Sequence, residues 1–229
     1  MPEVVFPECI EAVVFDCDGV LFESEPLHME AWQIILRGRG HEFPISFFDP
    51  WIGRPCSDQA RLYESTLAPR VAWKTYLDEK TAKFYELIHE RLVPSAGVVE
   101  NLEALRKLVP LAYATTTASG DMAVMMAITG LAPYFSASVH YEDVTEHKPH
   151  PEPYLEAARR LGVRPEACVA VEDSPAGTAA ARAAGMCTLG VATSFGADVL
   201  VDAHGVFPTT EAACRAIRRH LACPTLCGV

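Results

Sequence analysis

The chain of 229 residues is long enough for one large domain, or for one domain with a smaller companion, and for a substantial core. Half of its residues are hydrophobic and 21% are charged, which is typical of a globular protein and excludes a disordered or fibrous one. The formal net charge of −11 argues against nucleic-acid binding, because a phosphate backbone requires a basic face.

No charged-then-apolar leader and no run of about eighteen apolar residues is found, so we expect a cytoplasmic protein without membrane contacts. The eight cysteines are scattered, several of them in apolar runs, and are interpreted as reduced and mostly buried thiols. Cys223 and Cys227 have no second pair or histidine cluster beside them. A structural metal or a functional disulfide at this pair is therefore disfavoured.

The apolar, β-branched run from Ala12 to Phe15 is typical of a buried parallel strand. Ser24 as a cap, Pro26 in the first turn and a helical spacing of apolar residues predict a helix that ends at Gly38 and Gly40. The patterns that follow are also helical, so residues 23 to about 92 are expected to be mostly helix.

From Pro94 onward, predicted strands alternate with predicted helices. The strands are expected at 111–114, 137–140, 168–171 and 187–191. One of the helices should carry Leu102, Leu105 and Leu108 on one face, and the stripe Met122, Met125 and Met126 on another is interpreted as core packing. This alternation predicts an α/β fold, a doubly wound, Rossmann-like parallel sheet with helices on both faces.

The segment between the first two strands is too long for a simple connection. A strand–helix–strand unit takes about 30 residues, whereas roughly 90 residues separate Asp18 from Leu111. The sequence therefore predicts a helical subdomain inserted after the first strand.

Several predicted strands end in polar side chains. Asp16 and Asp18 follow the first strand and, at positions i and i+2, point to the same side of an extended chain. Later strands are followed by the remaining candidates, Thr115, Lys148, Glu172 and Asp173. A doubly wound sheet brings such strand ends to one edge, where clustered carboxylates require a hard divalent cation. Mg²⁺ fits best, since it takes oxygen ligands from one or two carboxylates and from substrate phosphate.

The same residues suggest a phosphate site. Lys148 would neutralise charge, and Thr115 with the backbone N–H groups beside Thr116 and Thr117 would donate hydrogen bonds. One of the clustered carboxylates can then attack phosphorus. In this scheme Asp16 is the nucleophile that forms an aspartyl phosphate, and Asp18 is the acid that protonates the leaving group and then the base that activates water.

With these residues in order, the chain resembles the haloacid dehalogenase superfamily, in the branch of the β-phosphoglucomutase-like and phosphoglycolate phosphatase-like enzymes. The resemblance covers nearly the whole chain. It rests on five ordered segments: FDCDGVL at 15–21, SEPLH at 24–28, ATTT at 114–117, KPHPEP at 148–153 and VEDSPAG at 171–177.

The resemblance implies a role for each matching residue. Asp16 is the nucleophile, Asp18 the acid/base, and Thr115 and Lys148 bind phosphate, with Thr116 as a further candidate. The metal ligands are implied to be Asp16, Asp18 through its carbonyl, and Asp173, with Glu172 assisting. The resemblance also implies that residues 23–93 form a helical cap on a catalytic core of residues 1–22 and 94–229.

Candidate substrate contacts in the cap are His28, which matches a recurrent histidine of the family, and Arg54, with Lys80 as another option. Related mutases place an arginine a few residues after a cap glycine, where this chain has Cys56. This difference disfavours a mutase, because a mutase must also grip a second, non-reacting phosphate.

The sequence therefore predicts a Mg²⁺-dependent phosphatase of a small phosphorylated metabolite, such as a sugar phosphate, in a monomer or weak homodimer. The alternatives are a hexose phosphate mutase and a catalytically silent regulator that binds a phosphorylated ligand. Dehalogenase and phosphonatase chemistry are disfavoured by the presence of Asp18. A calcium loop built on Asp16 and Asp18 is disfavoured because a strand, not a helix, precedes them.

Overall fold

The structure, a computed structural model, describes residues 4–44, 47, 56–67 and 71–222, with only the backbone of Asp58 included. Three residues singled out in the sequence, Arg54, Cys223 and Cys227, lie outside this part of the chain. The chain divides into two compact units, one formed by residues 1–22 and 94–229 and the other by residues 23–93.

Six parallel strands form one sheet within the described part of the first unit. They are β1 (Ala12–Phe15), β2 (Leu111–Ala114), β3 (Ala137–Val139), β4 (Cys168–Glu172), β5 (Cys187–Val191) and β6 (Gly205–Phe207). The strand order is β3-β2-β1-β4-β5-β6, and Phe15 of β1 is in register with Tyr113 on one side and Val171 on the other. The predicted doubly wound α/β fold is confirmed.

The central strands are buried at every position, as expected for strands covered on both faces. The helices of this unit are α4 (Val98–Leu105), α5 (Ser119–Thr129), α6 (Glu152–Leu161), α7 (Pro175–Ala183) and α8 (Thr210–Leu221). The stripe Met122, Met125 and Met126 of α5 is buried, so the prediction of core packing is confirmed.

The remaining helices belong to the second unit: α1 (Glu25–Gly38), α2 (Cys56–Thr66) and α3 (Trp73–Arg91). This unit has its own core, which includes Trp32, Tyr63 and Tyr76. The rings of Trp32 and Tyr63 meet edge to face, with centroids 5.0 Å apart. The mostly helical character predicted for this segment agrees with the described residues.

Local predictions were wrong at two positions. Helix α4 ends at Leu105, and Leu108 is 53% exposed instead of lying on its buried face, because the chain turns before entering β2. Ser24 occupies the N-cap position of α1, but its own backbone is already helical (φ −87°, ψ −27°) and its side chain makes no capping hydrogen bond. Within the described residues, no helix combines the length and apolar character that crossing a bilayer requires.

Candidate active site

The candidate residues of the first unit lie at the point where the strand order reverses. The chain runs from β1 outward to β2 and β3 on one side and to β4, β5 and β6 on the other. Ligands of doubly wound sheets bind beyond the carboxyl ends of the strands at such a point. Asp16 directly follows β1, and its backbone N–H donates to the carbonyl of Val171 in β4 at 2.9 Å. The nucleophile predicted from the sequence is therefore held at the switch point by the sheet itself.

Lys148 joins the ends of three strands. Its Nζ donates to Asp16 Oδ1 at 2.6 Å, to Glu172 Oε1 at 2.7 Å and to the carbonyl oxygen of Ala114 at 2.9 Å. The Lys148 side chain is only 5% exposed, so these contacts take the place of water around a buried ammonium group.

Glu172 is completely buried, and both of its oxygens accept hydrogen bonds. Oε1 accepts from Lys148 Nζ and from the Tyr154 hydroxyl at 2.9 Å. Oε2 accepts from the backbone N–H groups of Asp173 and Ser174 and from the Ser174 hydroxyl, at 2.9 to 3.0 Å. These contacts fix the carboxylate and tie the loop after β4 to Lys148.

The charges of this cluster depend on one another. Burial raises the pKa of Asp16 to about 8, with a contribution from the neighbouring charges of Glu172 and Asp18 that Lys148 opposes. Burial by itself lowers the pKa of Lys148, but the charges of Asp16 and Glu172 outweigh it and hold that pKa well above its usual range. A cation placed beside Asp16 would favour its carboxylate form, which is the form that can attack.

The donor set fits a hard divalent cation. Asp16, Glu172 and Asp173 each offer a carboxylate oxygen, and these atoms lie within 4.8 Å of one another. Asp173 also approaches the Thr193 hydroxyl, which donates to its Oδ2 at 3.4 Å. Oxygen-only ligands suit Mg²⁺. Because both oxygens of Glu172 already accept hydrogen bonds, Asp16 and Asp173 are the better placed ligands of the three.

The loop after β2 presents its threonines in different ways. The Thr115 hydroxyl is buried and accepts a hydrogen bond from the Thr117 backbone N–H at 3.0 Å. The Thr117 hydroxyl donates to Asp18 Oδ2 at 2.9 Å, which links this loop to the loop after β1. Thr116, between them, is partly exposed.

Two glycines allow the backbone to approach these carboxylates closely. A Cβ on Gly19, which has a φ of +75°, would lie 1.9 Å from Asp173 Oδ2. A Cβ on Gly177 would lie 1.7 Å from Glu172 Oε1. Any side chain at either position would displace a carboxylate, so both glycines are required by the packing of the cluster.

The structure thus brings together the predicted residues of the first unit: Asp16, Asp18, Thr115, Thr116, Lys148, Glu172 and Asp173. His28 lies in the other unit, in α1, where its ring stacks on Phe84 with centroids 3.8 Å apart. Arg54 is outside the described residues.

The sequence did not single out Tyr154 or Thr193, and it gave Thr117 no role beyond its backbone N–H group. Tyr154 carries no local signal of this role, because helical spacing does not distinguish a core tyrosine from one whose hydroxyl meets a buried carboxylate. Thr193 follows β5, and its place beyond a strand end was an available signal.

A family model for haloacid dehalogenase-like hydrolases matches residues 10–185, which is more than half of the chain and includes every one of these site residues except Thr193. The chain is a haloacid dehalogenase-like hydrolase. The resemblance on which the sequence prediction rested is thereby confirmed.

Several curated relatives of this hydrolase are named as phosphatases. A fructose-1-phosphate phosphatase from Escherichia coli is 33% identical over 180 residues, which is 76% of this chain and 92% of the relative. A phosphorylated carbohydrates phosphatase from Thermotoga maritima is 33% identical over 182 residues, covering 77% of this chain and 82% of the relative. These names agree with the enzyme class predicted from the sequence, a phosphoric monoester hydrolase.

Among solved structures, a HAD family hydrolase from Deinococcus radiodurans with bound phosphate and sodium superimposes with a TM-score of 0.78. It is 29% identical in sequence, and the match covers 96% of this hydrolase and all of the other chain. The fold is therefore shared over almost the full length of both proteins.

Proposed function

We propose that this hydrolase is a Mg²⁺-dependent phosphatase that removes phosphate from a small phosphorylated sugar or polyol through an aspartyl phosphate on Asp16. Membership of the family and the names of the curated relatives support hydrolysis of a phosphate ester. The two relatives described above are named for phosphorylated sugars or carbohydrates, which supports the proposed class of substrate.

The observation that carries this proposal is the contact of Lys148 with both Asp16 and Glu172 beside Asp173. A nucleophilic carboxylate that attacks a phosphate must approach an anion. The ammonium group of Lys148, 2.6 Å from Asp16 Oδ1, lowers the electrostatic cost of that approach. Asp16 and Asp173 would hold Mg²⁺, which would supply further positive charge to neutralise the phosphate oxygens.

The remaining residues of the first unit take positioning and proton-transfer roles in this proposal. Asp18 gives a proton to the leaving oxygen and takes one from the attacking water, and the Thr117 hydroxyl, 2.9 Å from Asp18 Oδ2, orients its carboxyl group. Glu172 holds Lys148 and the loop after β4. Thr115 and Thr116, in the loop after β2, are proposed to bind the phosphate.

Residues 23–93 are proposed to be the cap, as the family resemblance implies, with His28 and Arg54 as candidate contacts to the substrate. The His28 ring contacts three residues of its own unit, Phe84, Lys80 and Cys56. Its contact with substrate therefore stays a prediction, as do the role of Arg54, the cytoplasmic location and the monomeric or weakly dimeric state.

The proposal is tested with a panel of phosphorylated sugars and polyols incubated with the purified protein, with and without Mg²⁺. The release of inorganic phosphate is measured. We expect release from at least one sugar or polyol phosphate in the presence of Mg²⁺ and its loss when the cation is chelated. Equal release in excess chelator would overturn the metal requirement.

Two substitutions test the assigned roles on the best substrate of the panel. Asp16→Asn should lower turnover by about a thousandfold or more, because an amide is a poor nucleophile. Asp18→Asn should instead slow the hydrolysis of the phosphoenzyme, so that mass spectrometry of the quenched variant finds phosphate on Asp16. Asp202→Asn, the same change away from the cluster, is the control and should leave turnover unchanged. If the turnover of Asp16→Asn lies within about tenfold of the wild-type value, Asp16 is not the nucleophile.

The alternatives give different results in the same assay. A mutase would convert a hexose phosphate only after priming with a hexose bisphosphate and would release little inorganic phosphate. A silent regulator would release none from any member of the panel and would form no aspartyl phosphate.

A further inference from the structure

A second cluster of reactive side chains lies within the unit of residues 23–93. Lys80 of α3 is only 3% exposed, and its Nζ donates to Cys56 Sγ at 3.3 Å. The same Nζ contacts Nδ1 of His28 and lies 4.4 Å from the centre of the Phe84 ring. Cys56 Sγ is 3.9 Å from His28 Nδ1.

Positive charge in this cluster is concentrated on Lys80. Burial, with a smaller effect from the charge of Lys80, holds the pKa of His28 well below its usual range, so the imidazole is neutral. Within the described residues, no carboxylate forms an ion pair with Lys80. Burying an ammonium group is costly unless neighbouring atoms compensate for lost water, and the sulfur of Cys56 is one of the acceptors that do so here.

Lys80 is placed to assist attack by the Cys56 sulfur. Its ammonium group, 3.3 Å from Sγ, would offset the negative charge that develops on an oxygen atom departing from the sulfur. Cys56 is also partly exposed, so a small solute can reach it.

Four other cysteines of the described residues are buried thiols with raised pKa values. Burial raises the pKa of Cys168 and Cys214 to about 12 and that of Cys187 to about 11. Burial and the charges of nearby acids raise the pKa of Cys17 well above its usual range. Cys9 is exposed and therefore serves as a reference for accessibility.

We propose that Cys56 is a peroxide-sensitive modification site, oxidised to a sulfenic acid in a reaction that the contact with Lys80 accelerates. A sulfenic acid at this position would accept a hydrogen bond from Lys80 and could be returned to the thiol by small-molecule thiols.

The oxidant is hydrogen peroxide. The thiol of Cys56 gives up its proton, and its sulfur attacks one peroxide oxygen, so that an S–O bond forms as the O–O bond breaks. The sulfur loses two electrons and the peroxide gains them. The departing hydroxide takes up the proton, and the products are one sulfenic acid and one water molecule.

The test treats the purified full chain with hydrogen peroxide, traps sulfenic acids with dimedone, and measures the rate of labelling at each cysteine by peptide mass spectrometry. We expect Cys56 to be labelled faster than Cys9 and the label to be lost when dithiothreitol is added before the trap. Lys80→Gln should slow labelling of Cys56 about tenfold, whereas Lys80→Arg should largely keep it. Lys83→Gln, on the same helix but paired with Glu86, is the matched control and should leave the rate unchanged.

The proposal is overturned if Cys9 is labelled as fast as Cys56 in the wild-type protein, or if folded Lys80→Gln keeps the wild-type rate at Cys56. The wild-type comparison needs no substitution and so stays decisive if a variant does not fold. Because the readout is chemical and not enzymatic, it is independent of whether the proposed phosphatase function is correct.

Discussion

Glu172 is the residue that organises the charged cluster, although it is neither the proposed nucleophile nor the acid. A fully buried carboxylate needs compensation for lost hydration, and it obtains that from Lys148, Tyr154, Ser174 and two backbone N–H groups. Each donor is fixed in turn by its contact with Glu172. The position of Lys148 beside Asp16 therefore depends on a residue that does not react.

Tyr154 offers the cleanest test of this arrangement, because phenylalanine keeps the ring that lies 5.1 Å below Lys148 Nζ and removes only the hydroxyl. We expect Tyr154→Phe to lower the free energy of unfolding by about 2 kcal/mol, the value of a hydrogen bond to a charged group. Turnover should fall several-fold with little change in KM, since Lys148 loses orientation but not charge. Tyr134→Phe, whose ring lies beside Arg106, is the control. Equal stability and turnover in the two variants would contradict the positioning role.

At the scale of elements, the start of α7 is shaped to hold Glu172. Ser174 caps the helix by accepting from the Gly177 N–H at 3.0 Å, and its hydroxyl donates to Glu172 Oε2. Pro175 occupies the first turn, where its missing N–H costs nothing. The helix start and the carboxylate thus form one packed unit.

Gly177→Ala should therefore disturb the site more than its small volume suggests. The added methyl group would meet Glu172 Oε1, and we expect a loss of about 2 kcal/mol in unfolding free energy together with a large loss of turnover. Gly120→Ala in α5 has no neighbour within 4 Å and should be neutral or stabilising by up to about 1 kcal/mol. Chemical denaturation and phosphate release measure both effects, and similar behaviour of the two variants would refute the close contact.

A second network ties α6 to the segment after β3. Asp143 accepts from Arg160 at 2.8 Å and from the backbone N–H of His140 at 2.8 Å. The Arg160 guanidinium, together with these contacts to His140, lowers the pKa of Asp143 to about 2. The folded-state pKa lies below the unfolded value of about 3.9, so the stabilisation is present above about pH 4 and is lost as the pH falls towards 2.

We accordingly expect Asp143→Asn to be less stable than the wild type at pH 7 and to approach it in stability near pH 2. Urea unfolding at a series of pH values measures the difference. Because the groups are partly exposed, high salt should reduce it. Glu8→Gln, an exposed acid outside the network, should match the wild type throughout. If the difference in unfolding free energy between Asp143→Asn and the wild type does not change with pH, the lowered pKa of Asp143 is contradicted.

For the whole molecule, the site couples segments that are far apart in the chain, because Asp16, Lys148 and Asp173 follow different elements of one sheet. A cation held by Asp16 and Asp173, as proposed, would bind the folded chain only and would therefore stabilise the fold. We expect saturating Mg²⁺ to raise Tm by several degrees, at about 2–4 °C for each kcal/mol of binding.

The thermal shift should disappear in Asp173→Asn and persist in Asp202→Asn. Sodium chloride at the same ionic strength controls for general screening of the acidic chain. A shift of equal size with sodium chloride, or in Asp173→Asn, would contradict a cation site at these carboxylates.

The sequence by itself determined the fold class and named most residues of the candidate site, because both inferences depend on short-range patterns. Apolar runs of strand length alternating with helices specify a parallel sheet, and acids at positions i and i+2 after the first strand converge whatever surrounds them. It did not reveal β6, which is three residues long, or α8, although the cap at Thr209 and the helical spacing of the buried residues of α8 were available signals.

Only the tertiary structure decided which distant side chains contact one another. Tyr154 contacts Glu172, 18 positions away, and Thr117 contacts Asp18, 99 positions away. Cys56 and Lys80 are in contact although 24 positions separate them. No local pattern carries such pairings, because they depend on which side chains folding brings within hydrogen-bond distance and on the burial that makes those contacts obligatory.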